Sequence, residues 1–310
     1  MPRVRCPYCG AEYTVPEGVG YAVCPYCGTT VRIDTGERVE QQYYPPRLSE
    51  QDAYAAALSR ASQMPGAPRG LAQEAAFARA GLHMVPLYVC RATAWAVEEG
   101  CETAREEAEK PLLAARGEAL PGLPEDYPFP ATGRMPYKPG VLERVETFHQ
   151  AERPPGPLCE RLAEQAARRA SREAVLAGCS GAVEKSYRLL AVAHYPFWLI
   201  EYSHPLANAP MKAVVDAVDA TVVYVEYPIP GARRAVLLAT AAGGYAAGLA
   251  AGTLLALLLH QPLLAAGAAV AALGAAAPGL RRAVARLGQY RLSASPVPPA
   301  EVRLSEKRQA

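Results

Sequence analysis

Four cysteines near the start of the chain are the residues whose type and spacing most directly indicate a chemical role. Cys6 and Cys9 form one C-x2-C pair, and Cys24 and Cys27 form a second pair after fourteen intervening residues. Four thiolates in two tight pairs match a tetrahedral zinc site that is closed to substrate. An iron site with four thiolates and two redox-active pairs are the alternatives, but neither pair is followed by the helix that a redox motif requires. We therefore predict one structural Zn2+ and no catalysis at this site.

Two glycine turns and short strands must position these cysteines. Gly10 and Gly28 each follow the second cysteine of a C-P-Y-C-G sequence and permit the positive φ of such a turn. The alternating segments 12–15, 21–23 and 30–33 predict the strands of a zinc ribbon spanning residues 1–36. Because the unit contains few apolar residues, we expect metal binding to drive its folding.

Aromatic and basic side chains surround the cysteines in a unit too small to bury them. We interpret them as a surface that binds a protein partner. Nucleic acid is the alternative partner, with arginines on phosphate and tyrosines stacked on bases. The candidate partner-binding residues are Arg3, Arg5, Tyr8, Tyr13, Tyr26 and Arg32.

The charge balance argues against the nucleic-acid alternative. The chain has a net charge of +2, but the residues after Leu280 include seven Arg or Lys and only two Glu. Residues 1–234 therefore carry about −3 by difference, which is unlike a protein that coats nucleic acid. We expect the basic segment 283–310 to be a disordered tail near anionic lipid headgroups.

A long apolar segment precedes that tail. Residues 235–280 contain no Asp, Glu, Lys or Arg. The stretches 235–259 and 262–280 are long enough to cross a hydrocarbon layer of roughly 30 Å, which predicts a transmembrane helical hairpin at 233–282. A buried helical pair in a soluble domain is the alternative. Arginines at both outer ends place both termini in the cytoplasm, and predict a two-span protein of the cell membrane.

Three glycines recur every four residues in the first apolar stretch. Gly244, Gly248 and Gly252 would lie on one helix face and allow close approach of another helix. That helix is either the second stretch or a second copy of the chain, so the sequence leaves the oligomeric state open.

The region between ribbon and apolar segment mixes helix and strand signals. After a linker at 37–48, Ser49 begins a helix, and a second helix is expected at 158–177. Strands are expected at 82–97, 186–200 and 213–227, with a proline-rich irregular crossing between the two halves. "VPLYVCRA" and "YPFWLIEY" are similar, and we interpret residues 49–140 and 141–232 as two copies of one helix-plus-β-hairpin module; coincidence is the alternative. The predicted fold class is α+β.

These motifs together resemble a known group of proteins. "VPLY" and "YPFW" strands, a helix of the type "PPRLSEQDAYAAAL", a ribbon and a membrane hairpin resemble a poorly characterised bacterial and archaeal group of membrane proteins. The resemblance implies an N-terminal zinc ribbon, repeated Pro-aromatic β modules and a C-terminal transmembrane hairpin. It implies no enzymatic activity. This sequence departs from the group at "DAVDATV", where a glycine hairpin turn is usual.

The other residues that could support chemistry form no catalytic pattern. The sequence has no G-x-x-x-x-G-K and no H-E-x-x-H, and "GCSGA" at Gly178 indicates a helix end rather than a nucleophile turn. We expect Cys90, Cys101, Cys159 and Cys179 to be buried thiols, or, in a hyperthermophile, Cys90 and Cys101 to form a disulfide. The predicted function is that of a membrane-anchored scaffold rather than an enzyme. The alternatives are a nucleic-acid-binding protein at the membrane and an accessory subunit of a larger membrane complex.

Overall fold

The computed structural model describes residues 3–36, 39–98, 100, 104–116, 119–142, 145–259, 267, 271 and 287–292. Its strands are β1 (Arg3–Arg5), β2 (Glu12–Thr14), β3 (Tyr21–Val23), β4 (Thr30–Arg32), β5 (Gln41–Tyr43), β6 (Ala76–Ala96), β7 (Arg105–Leu113), β8 (Met135–Pro136), β9 (Val145–Phe148), β10 (Val183–Ser203), β11 (Met211–Asp216), β12 (Val222–Pro228) and β13 (Leu287–Arg291). Its helices are α1 (Glu50–Ser62), α2 (Leu71–Glu74), α3 (Pro155–Leu176) and α4 (Gly231–Leu259).

A nine-stranded sheet forms the centre of the molecule. Its two middle strands, β6 and β10, are each 21 residues long and run antiparallel along their whole length. On its outer edge β10 pairs with β5 in parallel and with β11 antiparallel, while β6 pairs with β9 in parallel and with β7 antiparallel. The sheet is therefore built from two long strands, each flanked by one short parallel strand and one hairpin partner.

The helices form where the sequence provides caps and small buried faces. The Ser49 side chain accepts a hydrogen bond from the Asp52 backbone N–H at 3.1 Å, which caps α1 as expected. Helix α3 begins at Pro155 and lies on β6 and β10. It buries a stripe that includes Leu162, Ala166, Ala170 and Ala174. These alanines allow the helix to approach the sheet closely.

A similar backbone hydrogen bond occurs at the "VP" motif of β6 and at the "YP" motif of β10, near the middle of the sheet. The Ala114 N–H donates to the Pro86 carbonyl at 3.0 Å, and the Ala217 N–H donates to the Pro196 carbonyl at 3.2 Å. Each proline thus accepts from the residue just after its hairpin partner strand. Duplication of an ancestral module and the domain boundaries at 140 and 232 stay predictions.

The apolar C-terminal segment differs from the expectation. Helix α4 covers the first predicted span, while the second, residues 262–280, lies outside the described residues apart from 267 and 271. Along α4, Gly244 is exposed, Gly248 is half-buried and Gly252 is buried. No helix within the described ranges is both long and apolar enough to span a membrane. The described part of the chain therefore does not support the predicted transmembrane hairpin.

Residues 287–291 correct the prediction of a disordered tail. They form β13, which pairs antiparallel with β12 at the edge of the sheet. The Tyr290 hydroxyl accepts a hydrogen bond from the Arg60 guanidinium at 2.8 Å, and that group also lies over the Tyr290 ring. The basic, proline-rich composition of the tail predicted disorder, but the tail includes a short segment that pairs with the edge of β12. Residues 293–310 lie outside the described part.

The disulfide pairing also differs from the expectation. Cys90 on β6 is bonded to Cys159 on α3, with a Cα–Cα distance of 5.3 Å, and both are buried. The expectations of a Cys90–Cys101 bond and of buried thiols at 90 and 159 are therefore wrong. The cause is the packing of α3 across β6, which brings together residues 69 positions apart. Cys179 is also disulfide-bonded, and Cys101 lies outside the described residues.

Candidate metal centre

The four predicted ligands meet at one point of the N-terminal ribbon. The ligand sulfurs of Cys6, Cys9, Cys24 and Cys27 all lie within 4.8 Å of one another. The Cys6 and Cys27 sulfurs are 3.6 Å apart, and those of Cys9 and Cys24 are 3.7 Å apart. Tetrahedral zinc with Zn–S bonds of about 2.3 Å has sulfurs about 3.8 Å apart. The four residues therefore fit a tetrahedral metal ion, and the cluster can hold one.

Each C-x2-C pair is held by a tight turn, named here the first knuckle (residues 6–10) and the second knuckle (residues 24–28). The Gly10 N–H donates to the Cys6 carbonyl at 3.0 Å, and the Gly28 N–H donates to the Cys24 carbonyl at 2.9 Å. The φ angles of the two glycines are 77° and 68°, a conformation that strongly favours glycine. The glycine turns predicted from the sequence are confirmed.

The local environment sets the protonation of the sulfurs. At Cys6 burial opposes ionisation, but the backbone N–H groups of Cys9 and Tyr8 point at the sulfur, and the net pKa is lowered to about 7. Burial raises the pKa of Cys24 and of Cys27. A cation among the four sulfurs would favour the thiolate form of this pair.

The second knuckle is attached to the large sheet by backbone carbonyls. The Gly28 carbonyl accepts from Gln41 Nε2 on β5 at 2.9 Å and lies 2.9 Å from His194 Nε2 on β10. The Cys27 carbonyl accepts from the Tyr137 hydroxyl at 2.8 Å. Because His194 is completely buried, these bonds form inside the protein.

A cluster of rings lies beneath the same turn. The rings of Tyr137 and His194 have centroids 5.0 Å apart, and Phe148 lies edge-on to both. A Cβ built on Gly28 would approach Phe148 Cε1 to 2.5 Å, whereas one built on Gly10 would meet nothing within 4 Å. The second knuckle therefore packs against the sheet, and the corresponding glycine of the first knuckle does not.

A glutamine completes this attachment at the neighbouring strand. Val23 on β3 donates its N–H to Gln150 Oε1 at 3.1 Å and accepts from Gln150 Nε2 through its carbonyl. One side chain thus pairs with both backbone groups of Val23, as an adjacent strand would. These contacts position the ribbon on the sheet through residues 127 positions apart in the chain.

The candidate partner-binding residues fall into different environments. Tyr8 and Tyr26 are 53% and 69% exposed, and Arg3 and Arg5 are also exposed. Arg32 forms a 2.7 Å ion pair with Asp34. Tyr13 is buried, and its hydroxyl has no hydrogen-bond partner in the described structure. Tyr13 is therefore removed from the surface set, because the ribbon has a small core of its own that includes this ring.

A cleft lies beside the ribbon. It has a volume of about 390 Å³ and is lined by the β3–β4 hairpin, including Arg32 and Asp34, and by Pro155 at the start of α3. Its walls combine apolar side chains with one ion pair.

Outside the ribbon, a buried carboxylate in the "DAVDATV" segment serves the fold. Asp216 is buried and accepts hydrogen bonds from the hydroxyls of Tyr127 at 2.6 Å and Tyr195 at 2.8 Å. Its other oxygen accepts from the backbone of Val218 in the hairpin turn. This carboxylate therefore holds the β11–β12 turn in place.

Sequence reasoning missed the residues that attach the second knuckle. Gln41, Tyr137, Gln150 and His194 come from four separate segments, so no local spacing connects them with the cysteines. The one available signal was His194, an isolated polar residue inside the apolar run "LLAVAHYPFWLI". A polar group at such a position requires a buried partner.

Comparisons with family models, with curated proteins and with solved structures give no match for this chain.

Proposed function

We propose that this protein is a non-catalytic binding protein, in which a zinc-loaded ribbon presents an aromatic surface to a protein partner at a membrane. The observation that carries the proposal is the unequal burial of the ribbon. Part of the ribbon is fixed to the sheet, while Tyr8 and Tyr26, which lie between the two cysteines of each pair, are largely exposed. A ribbon that served only to stabilise the sheet would not need exposed rings between its cysteines.

Zinc is the metal that best fits the site. The ligands are four sulfurs, their spacing suits bonds of about 2.3 Å, and the donor set leaves no position open for substrate. Native mass spectrometry of the full chain, purified without added metal, is expected to find one zinc per chain. A chain that carries iron instead, or that fails to take up Zn2+, would contradict this part of the proposal.

Exposed tyrosines beside arginines are typical of interface residues that contribute most of the binding energy. Here the exposed rings extend from knuckles that the metal makes rigid, so little side-chain or backbone entropy is lost when a partner binds. The cleft beside Arg32 adds a concave surface at another part of the ribbon. The exposed rings and this groove are two surfaces that suit a folded protein or an extended segment.

The test compares the double variant Tyr8→Ala/Tyr26→Ala with the control Tyr187→Ala. Tyr187 is 45% exposed but lies on β10, away from the knuckles. Tagged proteins are retrieved from gently solubilised membranes, with and without nuclease, and the partners are quantified by mass spectrometry. We expect the wild type and the control to retain the same proteins, and the double variant to lose them by about tenfold or more.

Two outcomes would contradict partner recruitment. Equal capture by all three chains would show that the tyrosines make no contact with the partner. Retention of nucleic acid, with partners that disappear after nuclease treatment and with a steep dependence on salt, would favour the alternative of a nucleic-acid-binding ribbon.

The membrane part of the proposal rests on the segment between β12 and β13. Pro228 pairs with Leu287, so this segment leaves and re-enters the sheet at the same place. Its sequence contains no Asp, Glu, Lys or Arg from 235 to 280. Along α4, Val236, Leu254, Leu257 and Leu258 are all at least 60% exposed. Exposed apolar residues of this kind favour contact with lipid.

Alkaline extraction of membranes tests this association. The wild type is expected to stay in the membrane pellet, and Leu254→Glu/Leu257→Glu is expected to move to the supernatant. The control is Leu206→Glu, which changes a residue of similar exposure (51%) on the sheet domain. Wild-type protein in the supernatant would contradict the association.

A further inference from the structure

We infer that the second knuckle couples metal occupancy to the order of the three short strands β5, β8 and β9. The inference rests on the proposed loading of the four cysteines with metal. Its consequence is that metal loss loosens one part of the sheet domain while the long strands stay folded. The stability of these three strands in the sheet domain would then depend on whether the ribbon holds a metal.

The first step of the argument is where the contacts of the second knuckle go. Gln41 lies on β5, Tyr137 directly follows β8, and Phe148 ends β9. Gln150 lies two residues beyond β9 and pairs with Val23. One turn of five residues, together with the adjoining strand β3, thus contacts every short strand in this part of the sheet.

The second step is how little else holds these strands. β5, β8 and β9 contain three, two and four residues. β8 pairs with β5 over only two positions, and β5 pairs with β10 over three. β6 and β10 pair with each other at 20 positions along their length. Short strands with so few ladder bonds depend on side-chain contacts, whereas the long pair does not.

The third step is what fixes the shape of the knuckle. The Gly28 N–H to Cys24 carbonyl bond closes the turn, and the sulfurs of Cys24 and Cys27 point into the four-cysteine cluster. Without a metal, no ion links the sulfurs of Cys24 and Cys27 to those of the first knuckle, so the turn loses this cross-link. The carbonyls of Cys27 and Gly28 are then free to turn away from their partners.

The fourth step is the penalty for such a movement. His194 is completely buried, and Thr30, whose hydroxyl is 3.1 Å from Gln41 Nε2, is completely buried as well. His194 Nδ1 already lacks a hydrogen-bond partner within the described residues. Loss of the Gly28 carbonyl would leave Nδ1 unpaired and Nε2 with only Gln41 Nε2, 3.4 Å away, so β5 and its neighbours would open to water rather than stay packed.

The experiment is hydrogen exchange on the full chain, read by mass spectrometry, with bound Zn2+ and after chelation. Metal content is measured first on every sample. Peptides that cover 41–43, 135–137 and 145–150 are expected to exchange at least about tenfold faster after chelation. Peptides that cover 211–216 and 222–228 are expected to exchange at the same rate in both samples.

A matched pair of variants separates docking from metal binding. Gly28→Ala and Gly10→Ala introduce the same strain at a positive φ, but only the first inserts a methyl group between Phe148 and Tyr137. With one Zn2+ bound, Gly28→Ala is expected to show the fast exchange of the chelated wild type in the three short strands. Gly10→Ala with bound Zn2+ is expected to match the wild type there.

A second variant covers the case in which Gly28→Ala does not fold. Gln150→Met keeps the size of the side chain, removes both bonds to Val23 and leaves the turn and the ligands intact. It is expected to speed exchange at 145–150 with metal bound.

The outcomes distinguish this inference from the proposed function. A wild type that binds no Zn2+ defeats the metal part of the proposed function and the coupling together. A wild type that binds one Zn2+ but keeps full protection of the three strands after chelation defeats the coupling alone. Equal exchange in the Gly28→Ala and Gly10→Ala proteins would overturn it as well.

Discussion

The two knuckles of the ribbon have the same five-residue sequence, C-P-Y-C-G, but different surroundings. In the first knuckle Cys9 is exposed and Gly10 has open space around it. In the second, the equivalent Cys27 is half-buried, and a Cβ on Gly28 would contact two aromatic rings. The motif therefore brings the four cysteines together, whereas the tertiary environment determines what else each knuckle does.

The physical origin of the difference lies in the backbone carbonyls. Those of Cys27 and Gly28 accept hydrogen bonds from side chains of the sheet domain. Such bonds are worth about 1 kcal/mol each when formed, and the buried groups lose about 1–3 kcal/mol each when left unpaired. Duplicated motifs of this kind can therefore complete one cluster of cysteines while only one of them attaches the ribbon to the sheet.

The largest expected effect comes from replacing one ligand in each knuckle. Cys9→Ser and Cys24→Ser should both lose the metal, whose binding contributes on the order of 10 kcal/mol to the folding of isolated zinc-finger units. We expect Cys24→Ser to lower the free energy of unfolding of the whole chain by about 1–3 kcal/mol more than Cys9→Ser does. The reason is that residue 24 is completely buried whereas residue 9 is exposed, so a serine hydroxyl at 24 is removed from solvent.

Zinc content by mass spectrometry and urea unfolding followed by circular dichroism measure these two effects. Equal destabilisation by the two variants would mean that a buried hydroxyl at residue 24 adds no cost beyond the loss of the metal. Zinc retained by either variant would remove that cysteine from the ligand set.

Local patterns predicted the elements of this fold well. The spacing of the cysteines, the cap at Ser49 and the helix expected at 158–177 each depend on residues close in sequence. The structure has the four-cysteine cluster, the cap and helix α3 (Pro155–Leu176). The expected strands at 82–97 and 186–200 were shorter than observed, since β6 and β10 extend through polar ends that only mutual pairing stabilises.

Long-range pairing could not be predicted in the same way. The Cys90–Cys159 bond depends on how α3 crosses β6, and β13 forms because β12 has an edge that Leu287–Arg291 can complete. The contacts of the second knuckle with His194 span 166 positions. Such contacts arise from the topology of the sheet, which no spacing within a single segment encodes.

A change of pH should weaken the attached side of the ribbon more than the exposed side. His149 lies between Phe148 and Gln150, and its Nε2 is 3.0 Å from His83 Nδ1. Burial, and then the neighbouring His83, lower the pKa of His149 from 6.5 to about 4. Burial also lowers the pKa of His83, despite the nearby Glu146. The stability that neutral His149 contributes is complete above about pH 6.5 and is lost as the pH falls toward 4.

At pH 5 this loss amounts to about 2 kcal/mol relative to pH 7. The check is urea unfolding at both pH values with Zn2+ in excess, for the wild type and for His149→Asn, which should show a smaller pH dependence. Asp216, whose pKa burial raises to about 6, acts in the opposite direction but is present in both proteins and cancels. An unchanged pH dependence in the variant would show that another group takes up the proton.

The smallest expected effects come from removing two tyrosine hydroxyls, that of Tyr137 in the sheet domain and that of Tyr13 in the core of the ribbon. Tyr137→Phe removes the 2.8 Å bond to the Cys27 carbonyl and should lower the free energy of unfolding by about 1 kcal/mol. Tyr13→Phe removes a buried hydroxyl that has no partner in the described structure, so stability should stay constant or rise by up to about 1 kcal/mol. Burial raises the pKa of both hydroxyls, so both are neutral at pH 7 and ionisation does not contribute to the change in stability.

Paired urea titrations at pH 7 measure the free energy of unfolding of both variants. Changes of opposite sign would show that hydrogen bonding to the sheet, rather than ring packing, distinguishes the two sides of the ribbon. A loss of similar size in both variants would place a partner on the Tyr13 hydroxyl and make the two sides more alike than their surroundings indicate.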